Sequence, residues 1–243
     1  IKFLSLTSAE IEALGSRPFI YSAVDPSHDE LLFSIPKLSA VPPKGYLPDY
    51  PSTIYPFDIL DYQAKTIVYD LKESRWMGSY SFTPEGFSIL QNELYSYNDG
   101  QLYLHNQYDR QCYFYDTQYT AKIMFTSNAG AGQPKVYNNI TSESNLVPTF
   151  VYFYNDYPIQ QSSDLVDFSF RNVEGNFVAN ILRNKLVPTA GGYTTDGLLT
   201  GQVMRNIAML VMIEFSPTGS NVMQLKFVDI GLRESIGNTT IKV

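Results

Sequence analysis

The chain has 243 residues, of which 44% are hydrophobic, 14% aromatic and only 17% charged, with a formal net charge of −7 at pH 7. This apolar content excludes a disordered chain, and an acidic balance with no run of Lys or Arg argues against a nucleic-acid groove. The apolar stretches fall short of the roughly 20 residues a membrane-spanning helix needs, and no signal peptide is visible.

The aromatic content is 19 Tyr and 15 Phe against a single Trp. Tyr and Phe favour pleated, half-buried surfaces and point to strands. Sparse charge and many tyrosines suit a subunit packed against neighbours. An ordinary all-β fold also uses many aromatics, and composition leaves both readings open. The chain opens at Ile1 without a methionine, as expected of a cut product or a fragment of a longer polypeptide.

Near the start, Thr7 or Ser8 as N-cap, the run 9–14 and Gly15 as a stop predict a short helix. Strand signals follow. Residues 19–24 end at the Asp25-Pro26 turn, and residues 30–35 stop at Pro36, which together read as a hairpin. Residues 36–58 hold six prolines interleaved with Tyr46, Tyr50 and Tyr55. Such a stretch is no central strand; it reads as an extended arm, either a plain insertion or a segment laid on a partner subunit.

Short strands are then expected at 66–70, 76–82, 86–90, 93–97 and 101–105. The Asp99-Gly100 pair between the last two is a strong hairpin signal. Their length and spacing fit a propeller-like blade or a sandwich, but no repeat of about 40 residues runs through the chain, so a full propeller does not fit. Further strands are expected at 121–125, 135–140, 147–154 and 177–182, with the Gly- and Thr-rich residues 188–201 as a loop. Residues 204–215 read as one long apolar strand, turned by residues 216–220 into a final strand over 222–230, the two forming a sandwich centre. The Met-rich strand reads as core rather than as a partner surface.

No catalytic constellation emerges. A Ser-His-Asp or Cys-His mechanism needs a histidine; His28 sits in a turn and His105 ends a hairpin strand, and neither lies in a nucleophile motif. Cys112 alternates with aromatics and reads as a packed thiol; alone, it makes no internal disulfide and has no Cys/His company for zinc. Asp58 with Asp61 and Asp164 with Asp167 read as solvated loop charges rather than a glycosidase pair. No catalytic, cofactor-binding or metal-ligating residue is therefore expected. Sugar stacking is the open alternative, with Trp76, Tyr95, Tyr97 and Tyr103 as candidates. Alternation puts Tyr95 and Tyr97 on one strand face, and the blander expectation makes that face the blade core.

These signals predict an all-β protein, a propeller-blade-like antiparallel sheet followed by a β-sandwich. The expected division is residues 1–116, with the Pro-rich arm, and residues 117–243.

The run Ser74-Arg75-Trp76-Met77-Gly78-Ser79-Tyr80-Ser81-Phe82-Thr83-Pro84, followed by Leu94-Tyr95-Ser96-Tyr97-Asn98-Asp99-Gly100-Gln101-Leu102-Tyr103-Leu104-His105-Asn106, resembles the C-terminal region of the large tail proteins of crAss-like phages, called muzzle or stabilization proteins. Glu174-Gly175-Asn176-Phe177, Ile181-Leu182-Arg183-Asn184-Lys185-Leu186, Gly201-Gln202-Val203-Met204-Arg205 and Gln224-Leu225-Lys226-Phe227-Val228-Asp229-Ile230 are similar to later segments of that family, so the likeness covers residues 66–237 in order. The resemblance implies a non-catalytic structural protein at the distal end of a short tail, closing or gating the DNA exit channel in several copies. Its partners would be other tail proteins and copies of itself, with Tyr46, Tyr50, Tyr55, Trp76, Tyr95, Tyr97 and Tyr103 as candidate contacts. The alternative is a carbohydrate-binding β domain of a phage or bacterial surface protein, with a host-surface glycan as ligand.

Overall fold

The structure, a computed structural model, describes residues 20–35, 65–106, 111–130, 132–155, 161–189, 192–194, 201–218 and 222–235. The expected N-terminal helix and the Pro-rich arm, with Tyr46, Tyr50 and Tyr55, lie outside the described residues. The described residues are all-β: several antiparallel sheets, none closed, with a single 3-10 turn and no α-helix. They divide into two compact units.

In the first unit, β1 (Tyr21–Asp25), β2 (Glu30–Ile35), β3 (Lys65–Asp70) and β4 (Arg75–Tyr80) form one antiparallel meander. β5 (Gly86–Leu90), β6 (Glu93–Asn98) and β7 (Gln101–Leu104) form a second, and β8 (Tyr113–Phe114) pairs with β9 (Thr117–Gln118). Period-2 alternation places Leu32 and its register partner Val68 on one face, where they bury with Leu94 against Ala23, Tyr80 and Phe87. Two polar ties fix the sheet margin. The Thr66 hydroxyl donates to the Phe82 carbonyl at 2.6 Å, and the Tyr80 hydroxyl donates to the Glu30 carboxylate at 2.9 Å.

Two-residue turns with both residues at positive φ join β5 to β6 at Gln91-Asn92, β6 to β7 at Asp99-Gly100, and β8 to β9 at Tyr115-Asp116. This is the turn type whose twist matches flanking strands. Asp99-Gly100 is its favoured sequence; Tyr115-Asp116 is not.

The second unit holds two larger sheets. β10 (Ala121–Ser127), β12 (Phe150–Asn155), β13 (Gln161–Val166) and β19 (Met209–Phe215) form one, in the order β10-β19-β12-β13. In the other, the ten-residue β11 (Lys135–Ser144) is central. One side pairs with β20 (Leu225–Glu234), the other with β18 (Arg205–Asn206) and then β15 (Asn176–Asn180), which carries β14 (Arg171–Val173). Both sheets feed one core: Tyr137, Ile140 and Ala179 come from the sheet of β11, and Val151, Phe153, Leu165, Met209, Val211, Ile213 and Phe215 from the sheet of β19, joined by Met204 just before β18. A register shift after Tyr137 leaves one extra residue in β11, and this is how Tyr137 and Ile140, three apart, both reach the core. Gly231 lies opposite Asn139, and a Cβ at that glycine would run into the Asn139 side chain.

Four sequence expectations need correction. Residues 204–215 are not one strand. The chain leaves β18 at Asn206, whose side chain accepts the Ile207 N–H at 2.7 Å while Lys135 donates to the Ile207 carbonyl at 2.7 Å, and it enters the other sheet as β19. The final strands do not pair with each other; β19 and β20 lie in different sheets. Residues 188–201 are not wholly loop, because β16 (Val187–Thr189) pairs with β17 (Gly192–Thr194). Asp164 is not a loop charge: it sits on β13, 2.8 Å from the Lys185 ammonium. Asp167 is exposed, as expected.

Ile213 has no exposed surface at the centre of the larger core. The Ile213→Ala variant is expected to lose about 3 kcal/mol in urea unfolding, whereas Met124→Ala on exposed β10 stays within about 0.5 kcal/mol.

Candidate functional site

The densest polar–aromatic cluster surrounds His105, just after β7. Its Nε2 lies 2.6 Å from Ser96 Oγ, and the Tyr115 hydroxyl lies 2.8 Å from the same oxygen. Phe82 packs on the imidazole at 4.5 Å between ring centroids, and Phe114 and Tyr115 follow at 6.3 and 6.2 Å. Tyr103 stacks edge-on to Tyr115 at 4.8 Å. Burial drives the His105 pKa down to about 4, against a smaller opposing pull from the Asp25 carboxylate, and burial pushes Tyr115 up to about 12.

A serine 2.6 Å from a histidine invites a nucleophile–base reading, which the geometry rejects. Ser96 is 0% exposed and the imidazole 9%, so no substrate reaches the hydroxyl. A base needs a pKa near the working pH, and a histidine held near 4 is a weak one at neutrality. The cluster is instead a satisfied buried network, with a local cost. Tyr115 and Asp116 sit at φ +50° and +59°, where a residue with a Cβ pays about 1 kcal/mol or more.

A second polar knot closes β1. The Asp25 carboxylate, 2% exposed as a residue, accepts the Ser27 N–H at 3.0 Å, the Ser27 hydroxyl at 2.7 Å and the Asn106 amide at 2.8 Å, and faces His28 Nδ1 at 3.1 Å. Burial raises its pKa, but the hydrogen bonds from Ser27, Asn106 and His28 outweigh burial and hold the carboxyl below its ordinary range. This explains why His28 and Asn106 occupy those turns without implying catalysis. Burial raises the Cys112 thiol, the opposite of an activated nucleophile. Among the described residues, no group of three or more His, Cys, Asp or Glu is placed to hold a metal ion.

The aromatic candidates separate. Tyr95 and Tyr97 share a face of β6, as alternation requires, but the core is on the other face, with Leu94 and Ser96. Tyr97 is exposed, beside its register partners Gly86 and Leu102. Tyr103 pairs with Ser96 and so lies on the buried face with Tyr115, apart from Tyr95 and Tyr97. Trp76 is about half exposed and meets Tyr69 edge-on at 5.1 Å and Phe33 at 5.9 Å. Sequence reasoning missed Phe33 and Tyr69, although their alternation along β2 and β3 puts both on the face opposite Leu32 and Val68.

It also missed Phe168. This side chain is 86% exposed in the 3-10 turn Asp167–Ser169. The turn is tied down: Asp167 Oδ1 accepts the Phe168 N–H at 2.7 Å, the Asp167 carbonyl accepts the Phe170 N–H at 3.1 Å, and Ser169 Oγ accepts the Val166 N–H at 3.3 Å.

Residues 110–184 match the family model described as the Crassvirus muzzle protein C-terminal domain. No curated protein sequence matches the chain at a significant level.

A fluorophosphonate probe is expected to leave Ser96 unlabelled at pH 7, as read by peptide mass spectrometry; stoichiometric labelling would overturn the structural account of the Ser96–His105 pair.

Proposed function

We propose, from a chain whose residues 110–184 are the C-terminal domain of a Crassvirus muzzle protein and which is thereby a virion tail component, that it is a non-enzymatic structural piece of the distal tail. In this reading it helps to close or gate the DNA exit channel, in several copies, with other tail proteins and its own copies as neighbours. The family match carries the proposal. The exposed apolar residues support it: Phe168 and Val173 in the matched segment, and Trp76, Met77, Tyr97 and Leu102 outside it, offer the contacts that a packed subunit needs. Tyr46, Tyr50, Tyr55 and the 36–58 arm are proposed as further subunit contacts. We read the first unit as blade-like and the second as a two-sheet sandwich, a reading supported by its shared core. The domain division is proposed at 116/117.

Mass spectrometry of virions purified from the encoding phage is expected to find abundant peptides from this chain, and a tail-tip reconstruction to place its fold around the distal channel. Clean absence from virions would sink the reading; a position away from the channel would sink the gating role alone.

A second reading, carbohydrate binding, is favoured by the half-exposed Trp76 with Tyr69 and Phe33 beside it, since aromatic faces stack on sugar rings. Glycan-array binding that disappears in Trp76→Ala, with unfolding unchanged, is its expected signature. An array without hits removes it.

A further inference from the structure

We propose that the outer edge of β20 pairs with the same edge of a second copy of this chain, antiparallel and centred on Gly231, so that Asp229 of each copy meets Arg233 of the other. The inference deepens the reading above, from which it takes the presence of neighbouring copies.

β20 is ten residues long, and among the described residues only β11 pairs with it. One hydrogen bond fixes which way its backbone points. The Ser235 N–H donates to the Pro134 carbonyl at 3.0 Å, so by alternation Arg233, Gly231, Asp229 and Phe227 also turn their backbone groups toward β11. The N–H and C=O groups of Val228, Ile230, Leu232 and Glu234 face the other way, onto an edge to which no described residue is hydrogen-bonded. The fold treats β13, an edge of the other sheet, differently. There the Ser162 N–H donates to the Asn184 side chain and the Lys185 N–H donates to the Ser162 carbonyl, both at 2.9 Å, which covers that edge. An uncovered strand as long as β20 is a template for another strand.

The strand that fits this edge is its own copy. Asp229 and Arg233 are both exposed, on the face opposite Val228, Ile230 and Leu232, which pack on the core. Neither side chain has a hydrogen-bond or ion-pair partner among the described residues. Four positions apart on one strand, they stand roughly 13 Å from each other, too far to pair within the chain. A two-fold axis at Gly231 sets each opposite the other and gives two ion pairs across the seam. The same register sets Ile230 opposite Leu232 and Val228 opposite Glu234, so the free backbone groups of the two copies face each other as an antiparallel ladder requires.

Charge selects this register over its neighbours. A slip of one residue would turn the apolar set to the wrong face. A slip of two, centred on Ile230, sets Asp229 against Gly231 and leaves both carboxylates unpaired. Edge strands that must stay single are commonly blunted by Pro, Lys or a bulge. Residues 227–234 contain no Pro and no Lys, and the extra residue on the β20 side falls at the start of the strand, between Leu225 and Phe227.

Sedimentation equilibrium of the whole chain is expected to give a mass that rises with concentration toward twice the 27.5 kDa of one chain. Asp229→Arg and Arg233→Asp each set like charges opposite across the seam and should each weaken the dimer on the order of 10-fold or more. An equimolar mixture of the two variants should recover it, because every Arg of one then faces an Asp of the other. In the unmodified chain the Ile230 and Leu232 amides should exchange more slowly as concentration rises, a readout that needs no variant to fold. The proposal is overturned by a chain that stays monomeric up to about 100 μM, by single variants that dimerise as tightly as the parent, by a mixture no tighter than its components, or by a dimer in which those two amides exchange unchanged. None of these results touches the tail reading, which stands or falls with the virion peptides.

Discussion

The second unit depends on one sheet face. Met209, Val211, Ile213 and Phe215 alternate along β19 and are all fully buried. Antiparallel registers bring Val151 and Phe153 on β12 and Phe125 on β10 alongside them. A single sheet cannot hide such a face from water, so a second layer is obligatory. Tyr137 and Ile140 on β11 join it, helped by the extra residue between them; without that register shift one of the two would point the wrong way.

Much of this was legible in the sequence because apolar alternation and turn residues act locally. β2, β5 and β6 match the expected positions closely, and Asp99-Gly100 makes the hairpin its residues demand. The losses have physical causes. β13 reads as polar, with Gln161, Ser162 and Ser163, yet all three are buried. Ser162 donates to the Tyr152 hydroxyl at 2.9 Å, Ser163 to the Leu182 carbonyl at 3.0 Å, and Gln161 to the Val203 carbonyl at 3.1 Å. Partners 10 to 42 positions away are invisible to periodicity. The break at Ile207 was hidden likewise, since Lys135 anchors it from a distant strand.

The candidate site was legible by residue type but not by arrangement. Trp76 stood out as the single tryptophan; its ring partners depend on the pairing of β2, β3 and β4. Tyr95, Tyr97 and Tyr103 looked like one set until the β6–β7 register put Tyr103 opposite Ser96. His105 looked idle because its meaning lies in Ser96 and Tyr115, which approach it only after two hairpins form. Exposed Phe168 carries no sequence signal, since nothing local distinguishes a displayed phenylalanine from a buried one.

The β11–β20 pairing has a consequence for the order of folding. Most strands of the first unit close with near neighbours across turns of two to four residues, so those ladders are able to form early and independently. Ile140, by contrast, pairs with Ile230, ninety positions on. During synthesis β11 emerges long before its longest partner exists, and its β20 side stays an open edge until the ribosome has delivered that strand. The second sheet of this unit is therefore the slow step, and the interval before it closes is when an exposed β11 is most open to pairing with a neighbouring nascent chain.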